Sequence, residues 1–169
     1  MDTVPSKLSA TAISSYAEQI ADHYRIFSEG SAADLGRLVQ ALGGEVEVSN
    51  SPIAQESLTV NGARSFTVHL PPFTGSRRDR FTIAHELGHY FLHYLYPQHK
   101  GMHVFSRGGS NLAEYEANHF ASCLLMPAEM YEKAYRELKG DHYALSKWFD
   151  VSPAASRIRA KVLRLGSGS

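Results

Sequence analysis

Five consecutive residues, His85-Glu86-Leu87-Gly88-His89, constrain this chain more than any others, because they set two imidazoles one helical turn apart with a carboxylate between them. Residues four apart on an α-helix differ by about 40° around its axis, so the two rings can converge on one ion. Paired nitrogen donors of this kind suit Zn2+. Glu86 shares their broad face, where its carboxylate reaches a water at the metal rather than the metal itself, the position of a general base.

The flanking residues predict the helix this geometry needs, from about Arg78 to Tyr94. Phe81, Ile83, Ala84, Leu87, Phe91 and Leu92 give it an apolar face, no proline interrupts it, and Gly88 permits close approach of a neighbour. His93 continues the spacing of four, but a third ligand on the same helix would be drawn away from the ion along the axis, so His93 reads as a helix-end or surface histidine.

A catalytic zinc needs a third protein ligand and an open position. A second helix, predicted over about Leu112 to Met126, offers Glu114, Glu116, Asn118 and His119. Glu114 and Asn118 share a face with Ala121 and Leu125, expected to pack inward, while Glu116 points nearly opposite to Glu114. Glu114 is therefore the expected third ligand. Asn118, one turn behind, is placed to accept the spare N–H of a metal-binding histidine. Tyr90, His103, Tyr115 and His119 all compete as substrate or oxyanion contacts, and spacing does not separate them. Cys123, amid Phe120, Ala121, Leu124 and Leu125, reads as a small core residue.

The remaining pattern predicts an α+β chain. A helix over about Ala10 to Phe27 precedes a second one capped by Ser31, and Gly43-Gly44 stops that helix before the alternating strand Glu45 to Val48. Strands Ser57 to Val60 and Ser65 to Leu70 flank Asn61-Gly62-Ala63-Arg64, in which Asn61-Gly62 is a hairpin signal because both residues tolerate positive φ. Ser65 to Leu70 could expose an edge for substrate pairing. Pro97 to Ser110 reads as a loop. Helical pieces near Ala128 to Leu138, Tyr143 to Phe149 and Pro153 to Leu165 close the chain. The expected organisation is one domain over 1–165, with an N-terminal helix at 10–30, a core at 31–127 and C-terminal helices at 128–165. The tail 166–169 reads as an appended scar and is set apart from the fold.

Seventeen basic residues balance seventeen acidic ones, so no global field draws the chain to nucleic acid or an anionic membrane. A single cysteine and a start without a basic, apolar leader point to the cytoplasm, and no apolar run approaches the ~20 residues needed to cross a bilayer.

Two motifs in this order, Arg80-Phe81-Thr82-Ile83-Ala84-His85-Glu86-Leu87-Gly88-His89-Tyr90 and the run Glu114 through Met126-Pro127, strongly resemble the ImmA/IrrE family of metallopeptidases. The likeness spans roughly Asp34 to Leu165. It implies a zincin-like fold, with a small, mainly antiparallel sheet packed on the helix of His85. It also implies a gluzincin-type site in which His85, His89 and Glu114 bind one Zn2+ and Glu86 activates water, and a bacterial or phage-encoded setting. The implied substrate is a helix-turn-helix repressor or an antitoxin-like regulator.

A competing reading starts from the C-terminal segment. Tyr143 to Phe149, the Asp150-Val151-Ser152 turn and a following helix with Arg157, Arg159, Lys161 and Arg164 are similar to a basic helix-turn-helix. On that reading the chain is a DNA-binding or regulator-binding module in which zinc is only structural.

Overall fold

A computed structural model describes residues 3–166, so Met1, Asp2 and residues 167–169, the latter most of the expected tail, lie outside the described residues. Among the described residues the chain is a mixed α+β fold of seven α-helices, one π-helical turn and a four-stranded sheet. None of its helices is long and apolar enough to cross a membrane.

Helix α1 (Ala10–Tyr24) begins where the Ser9 side chain accepts the Ala12 N–H, and it buries Ile13, Ala17, Ile20 and Ala21. Arg25, in the left-handed region, ends it four residues before Glu29. Helix α2 (Leu35–Ala41) is capped by Asp34 rather than by Ser31, because the Asp34 carboxylate takes the Arg37 N–H at 3.0 Å. Gly43 follows at φ +85°, where a Cβ would stand 2.2 Å from the Arg64 carbonyl oxygen. The glycine pair thus does more than stop α2: it lets the chain pass against the hairpin.

The sheet order is β1 (Gly44–Val48), β3 (Ser65–Leu70), β2 (Ser57–Gly62), β4 (His103–Ser106). β1 runs parallel to β3, and the other two pairings are antiparallel. Two expectations are corrected here. β3 is an interior strand, with Phe66, Val68 and Leu70 buried, so it offers no edge; β1 and β4 are the outer strands. The segment read as a loop between Pro97 and Ser110 contains β4. The hairpin also turns later than Asn61-Gly62: Gly62 pairs with Ser65 after a register shift, Ala63-Arg64 make the turn, and neither Asn61 nor Gly62 takes positive φ.

Helix α3 (Ser76–His89) carries the two histidines and runs directly into a π-helical turn, Tyr90–Leu95. Helix α4 (Asn111–Leu125), capped by Ser110, lies against α3 and α1. The closest approach is at Gly88, where a Cβ would meet Ala117 Cα at 2.9 Å and its carbonyl oxygen at 3.0 Å. Tyr16, Phe91 and Phe120 fill the junction of the three elements with edge and stacked ring contacts. Cys123 is fully buried, as expected of a core residue.

Helices α5 (Ala128–Glu137), α6 (His142–Phe149) and α7 (Pro153–Val162) complete the chain. Asp141 caps α6, and Ser152 followed by Pro153 starts α7. The turn between them is tied to α3: the Asp150 carboxylate meets Arg77 Nε and Arg80 Nε, each at 3.3 Å, and Arg80 Nε also donates to the Asp150 carbonyl at 3.1 Å. Partly exposed pairs of this kind stabilise little, about 0–1 kcal/mol each, so their role is to orient α7. Arg159, 2% exposed, fixes the helix to the end of α4 by donating from Nε to the Met126 carbonyl at 2.9 Å.

Gly88→Ala sets two effects against each other. Alanine favours a helix interior by ~1 kcal/mol, while overpacking a tight contact costs ~1–3 kcal/mol. A Cβ that near to backbone cannot be relieved by a rotamer change, so net destabilisation of about 1–2 kcal/mol is expected in urea unfolding. Unchanged or raised stability would show that the helices part freely at this point.

Candidate metal centre

α3 and α4 bring together three side chains at their crossing. Glu114 Oε2 lies 3.0 Å from His85 Nε2, and Glu114 Oε1 lies 3.1 Å from His89 Nε2. One donor atom from each residue falls within 4.8 Å of the others, a set that could hold a metal ion. Donors at ~2.1 Å from a tetrahedral zinc stand about 3.4 Å apart, a separation that lies within the 4.8 Å span of this cluster. No other group of three or more such residues exists among the described residues.

The tautomers suit a metal. His85 Nδ1 is 2.8 Å from Asn118 Oδ1, so an Asn118 oxygen accepting Nδ1–H leaves the Nε2 lone pair directed at the centre. His89 Nδ1 is 2.8 Å from His93 Nδ1, and an Nδ1–H donated to His93 would likewise free Nε2 for an ion in place of its hydrogen bond to Glu114. Phe105 of β4 stacks on the His89 ring with centroids 5.5 Å apart and planes inclined by 10°, and so fixes its plane.

Charge is concentrated here. Glu86 is 3% exposed, and its Oε2 is buried without a hydrogen-bond partner. Burial, reinforced by Glu114 and Glu56 against the pull of His85, pushes its carboxyl up to about 8. Hydrogen bonds from His85 and His89 hold the Glu114 carboxyl well below the usual range despite burial. Burial disfavours the His85 cation, yet the Glu114 hydrogen bond and the Glu86 charge outweigh it and raise that ring above its ordinary value. Burial, with the repulsion from His85, lowers His89.

The centre opens onto a cleft of about 820 Å³. Ser106 and Arg107 at the end of β4 border one side, and Ala155, Ile158 and Val162 of α7 border another. At Glu114 and Asn118 this face borders the cleft, Asn118 exposed and Glu114 half-buried, whereas farther along it Ala121 and Leu125 pack inward as expected.

Of the four residues expected to compete as substrate contacts, two line the cleft. Tyr115 is 57% exposed on its wall, stacked on His119, whose Nε2 donates to the Ala10 carbonyl at 3.0 Å. Tyr90 and His103 do not line it. Tyr90 is a core residue against Phe66 with its hydroxyl donated to the Ala63 carbonyl, and His103 lies on the inward face of β4 against His99 and Phe105. His93 is also corrected: it is 1% exposed, not a surface histidine, and its Nε2 meets Glu116 Oε1 at 2.8 Å. Its signal in the sequence was the repeated spacing of four from His85 to His89 to His93.

Residues 50–161 match the family described as the IrrE N-terminal-like domain, peptidase M78, and the chain belongs to that family. No curated protein matches it in sequence. Among solved structures it resembles a Mycobacterium tuberculosis transcriptional regulator, with a TM-score of 0.59 and 16% identity, covering 86% of this chain and 45% of that one. The likeness is one of fold, and the chain spans less than half of that protein's length.

A cation at the centre favours the ionised form of Glu86 and the neutral form of His85. Near pH 7, below the Glu86 value of about 8, metal binding must therefore release protons. Zn2+ titrated into metal-free protein in buffers of different ionisation enthalpy should release about one to two protons per ion, with affinity rising from pH 6 to 8. A pH-independent affinity would contradict the charge arrangement.

Proposed function

We propose that the chain is a zinc-dependent endopeptidase with a zincin-like site, in which His85, His89 and Glu114 hold one Zn2+ and Glu86 is the catalytic base. One observation carries this reading: among the described residues the only buried carboxylate oxygen without a partner, Glu86 Oε2, stands beside a three-donor cluster that opens onto a cleft. A structural zinc gives no reason for an uncompensated carboxyl at that place, whereas a general base needs one free lone pair.

Zinc bound there would supply a Lewis acid that polarises the scissile carbonyl and brings the pKa of water from about 16 toward 7. The chain's own residues do the rest. Glu86 Oε2 takes a proton from the attacking water and returns it to the leaving amine. Asn118 holds the His85 ring in its tautomer. Tyr115 and His119 on the cleft wall contact the substrate, and the apolar face of α7 seats its side chains. The exposed edge that the sequence suggested for Ser65 to Leu70 belongs instead to β4, an outer strand whose end borders the cleft, and an extended substrate segment would pair there.

Family membership and the resemblance of both motifs support a helix-turn-helix repressor or antitoxin-like regulator as substrate, in a cytoplasmic setting, and residues 1–165 acting as one unit. The helix-turn-helix-like pair α6 and α7 favours the peptidase reading over DNA binding. Ile158 and Val162, two exposed apolar residues of α7, border the cleft beside Arg159, whose side chain is buried rather than offered to phosphate.

Glu86→Gln preserves shape and cannot accept a proton. It should bind Zn2+ normally and cleave a helix-turn-helix regulator that the wild type cleaves at least ~100-fold more slowly, as followed by mass spectrometry of the products. Turnover equal to the wild type would remove Glu86 from the chemistry.

A further inference from the structure

Beyond the cluster, a chain of hydrogen bonds runs from His89 to the segment that precedes α1. His89 Nδ1 is 2.8 Å from His93 Nδ1, and His93 Nε2 is 2.8 Å from Glu116 Oε1. Glu116 Oε1 also accepts the Ser6 N–H at 2.9 Å, while Oε2 accepts the Ser6 hydroxyl at 2.8 Å and the Lys7 N–H at 2.9 Å. Glu116 is 1% exposed, so these four donors are what solvates its charge. Lys7 sits at φ +62°, a conformation that costs a non-glycine residue ~1 kcal/mol and that here accompanies two successive N–H groups aimed at one carboxylate.

Only one proton arrangement satisfies every bond when His89 Nε2 is kept for a metal. Nδ1–H of His89 donates to His93 Nδ1, and Nε2–H of His93 donates to Glu116. A histidine ligand usually gives its second N–H to a carboxylate or carbonyl, which fixes its ring and raises its basicity. Here a second imidazole is interposed, and the carboxylate at its far end is completed by the N-terminal segment.

We propose that His93 and Glu116 are positioning residues for His89 and that docking of Ser6 and Lys7 on Glu116 is energetically coupled to metal binding. The inference rests on the reading that His85, His89 and Glu114 bind zinc. If docking of residues 6–7 sharpens zinc affinity by some factor, zinc must favour docking by the same factor, since linkage is reciprocal.

Zn2+ affinity, measured by chelator competition on the full chain, tests it with the unfolding midpoint of each metal-free variant as a control. His93→Phe and Glu116→Gln should weaken zinc by about 10–100-fold and Ser6→Ala by a few-fold. Hydrogen exchange of the Ser6 and Lys7 amides in the wild type, which needs no variant to fold, should slow by about tenfold on saturation with Zn2+, the lower end of that range. A merely structural network would leave those amides equally protected with and without the ion. Wild-type protein that binds no zinc would end the metal reading itself. Zinc binding with unchanged exchange at Ser6 and Lys7, or with variant affinities within twofold of wild type, would overturn this inference alone.

Discussion

Helices α3 and α4 touch at Gly88 and Ala117, and the rest of the site depends on how near they come. A larger side chain at residue 88 would press on the α4 backbone at Ala117, one turn after Glu114, and so on the stretch of helix that carries Glu114 to both imidazoles. That contact is held from outside as well. α1 packs on α4, and Tyr16 wedges its ring against Phe91 and Phe120 at the seam. Core packing at native density therefore sets the spacing of the polar cluster, because interiors at this density do not deform gradually.

Around that crossing the chain gathers charge that the apolar core would otherwise reject. Glu86 and Glu116 are both nearly buried, and they are treated differently. Glu116 receives four donors and its carboxyl is held down by them against burial, whereas Glu86 keeps an oxygen unpaired and is pushed up to about 8. A satisfied buried carboxylate fixes structure, while an unsatisfied one facing a cleft is a reactive group. The two carboxyls are thus set apart by hydrogen-bond supply, Glu86 on α3 and Glu116 across from it on α4.

Much of this was legible in the residues. The spacing of four between His85 and His89 and the face shared by Glu114 and Asn118 are local helical facts, and all four side chains meet where that periodicity placed them. Strand order is not local. β3 alternates as an edge strand would, yet β1 returns parallel to its far side and buries it, a pairing that nothing in Ser65 to Leu70 announces. β4 is four residues long beside three glycines and so read as loop. Asn61-Gly62 carried a turn signal that the register shift overrode. His93 reads in the sequence as a helix-end or surface histidine because its partner Glu116 lies on another helix, pointed away from Glu114 as periodicity requires but buried by the N-terminal segment.

The central claim is that two imidazoles and one carboxylate hold a zinc ion with room left for water. X-ray absorption at the zinc edge of metal-loaded protein tests it most directly. The predicted first shell holds two imidazole nitrogens and two or three oxygens at about 2.0–2.2 Å, with no sulfur. A sulfur scatterer near ~2.3 Å, or a shell closed by four protein nitrogens, would contradict it.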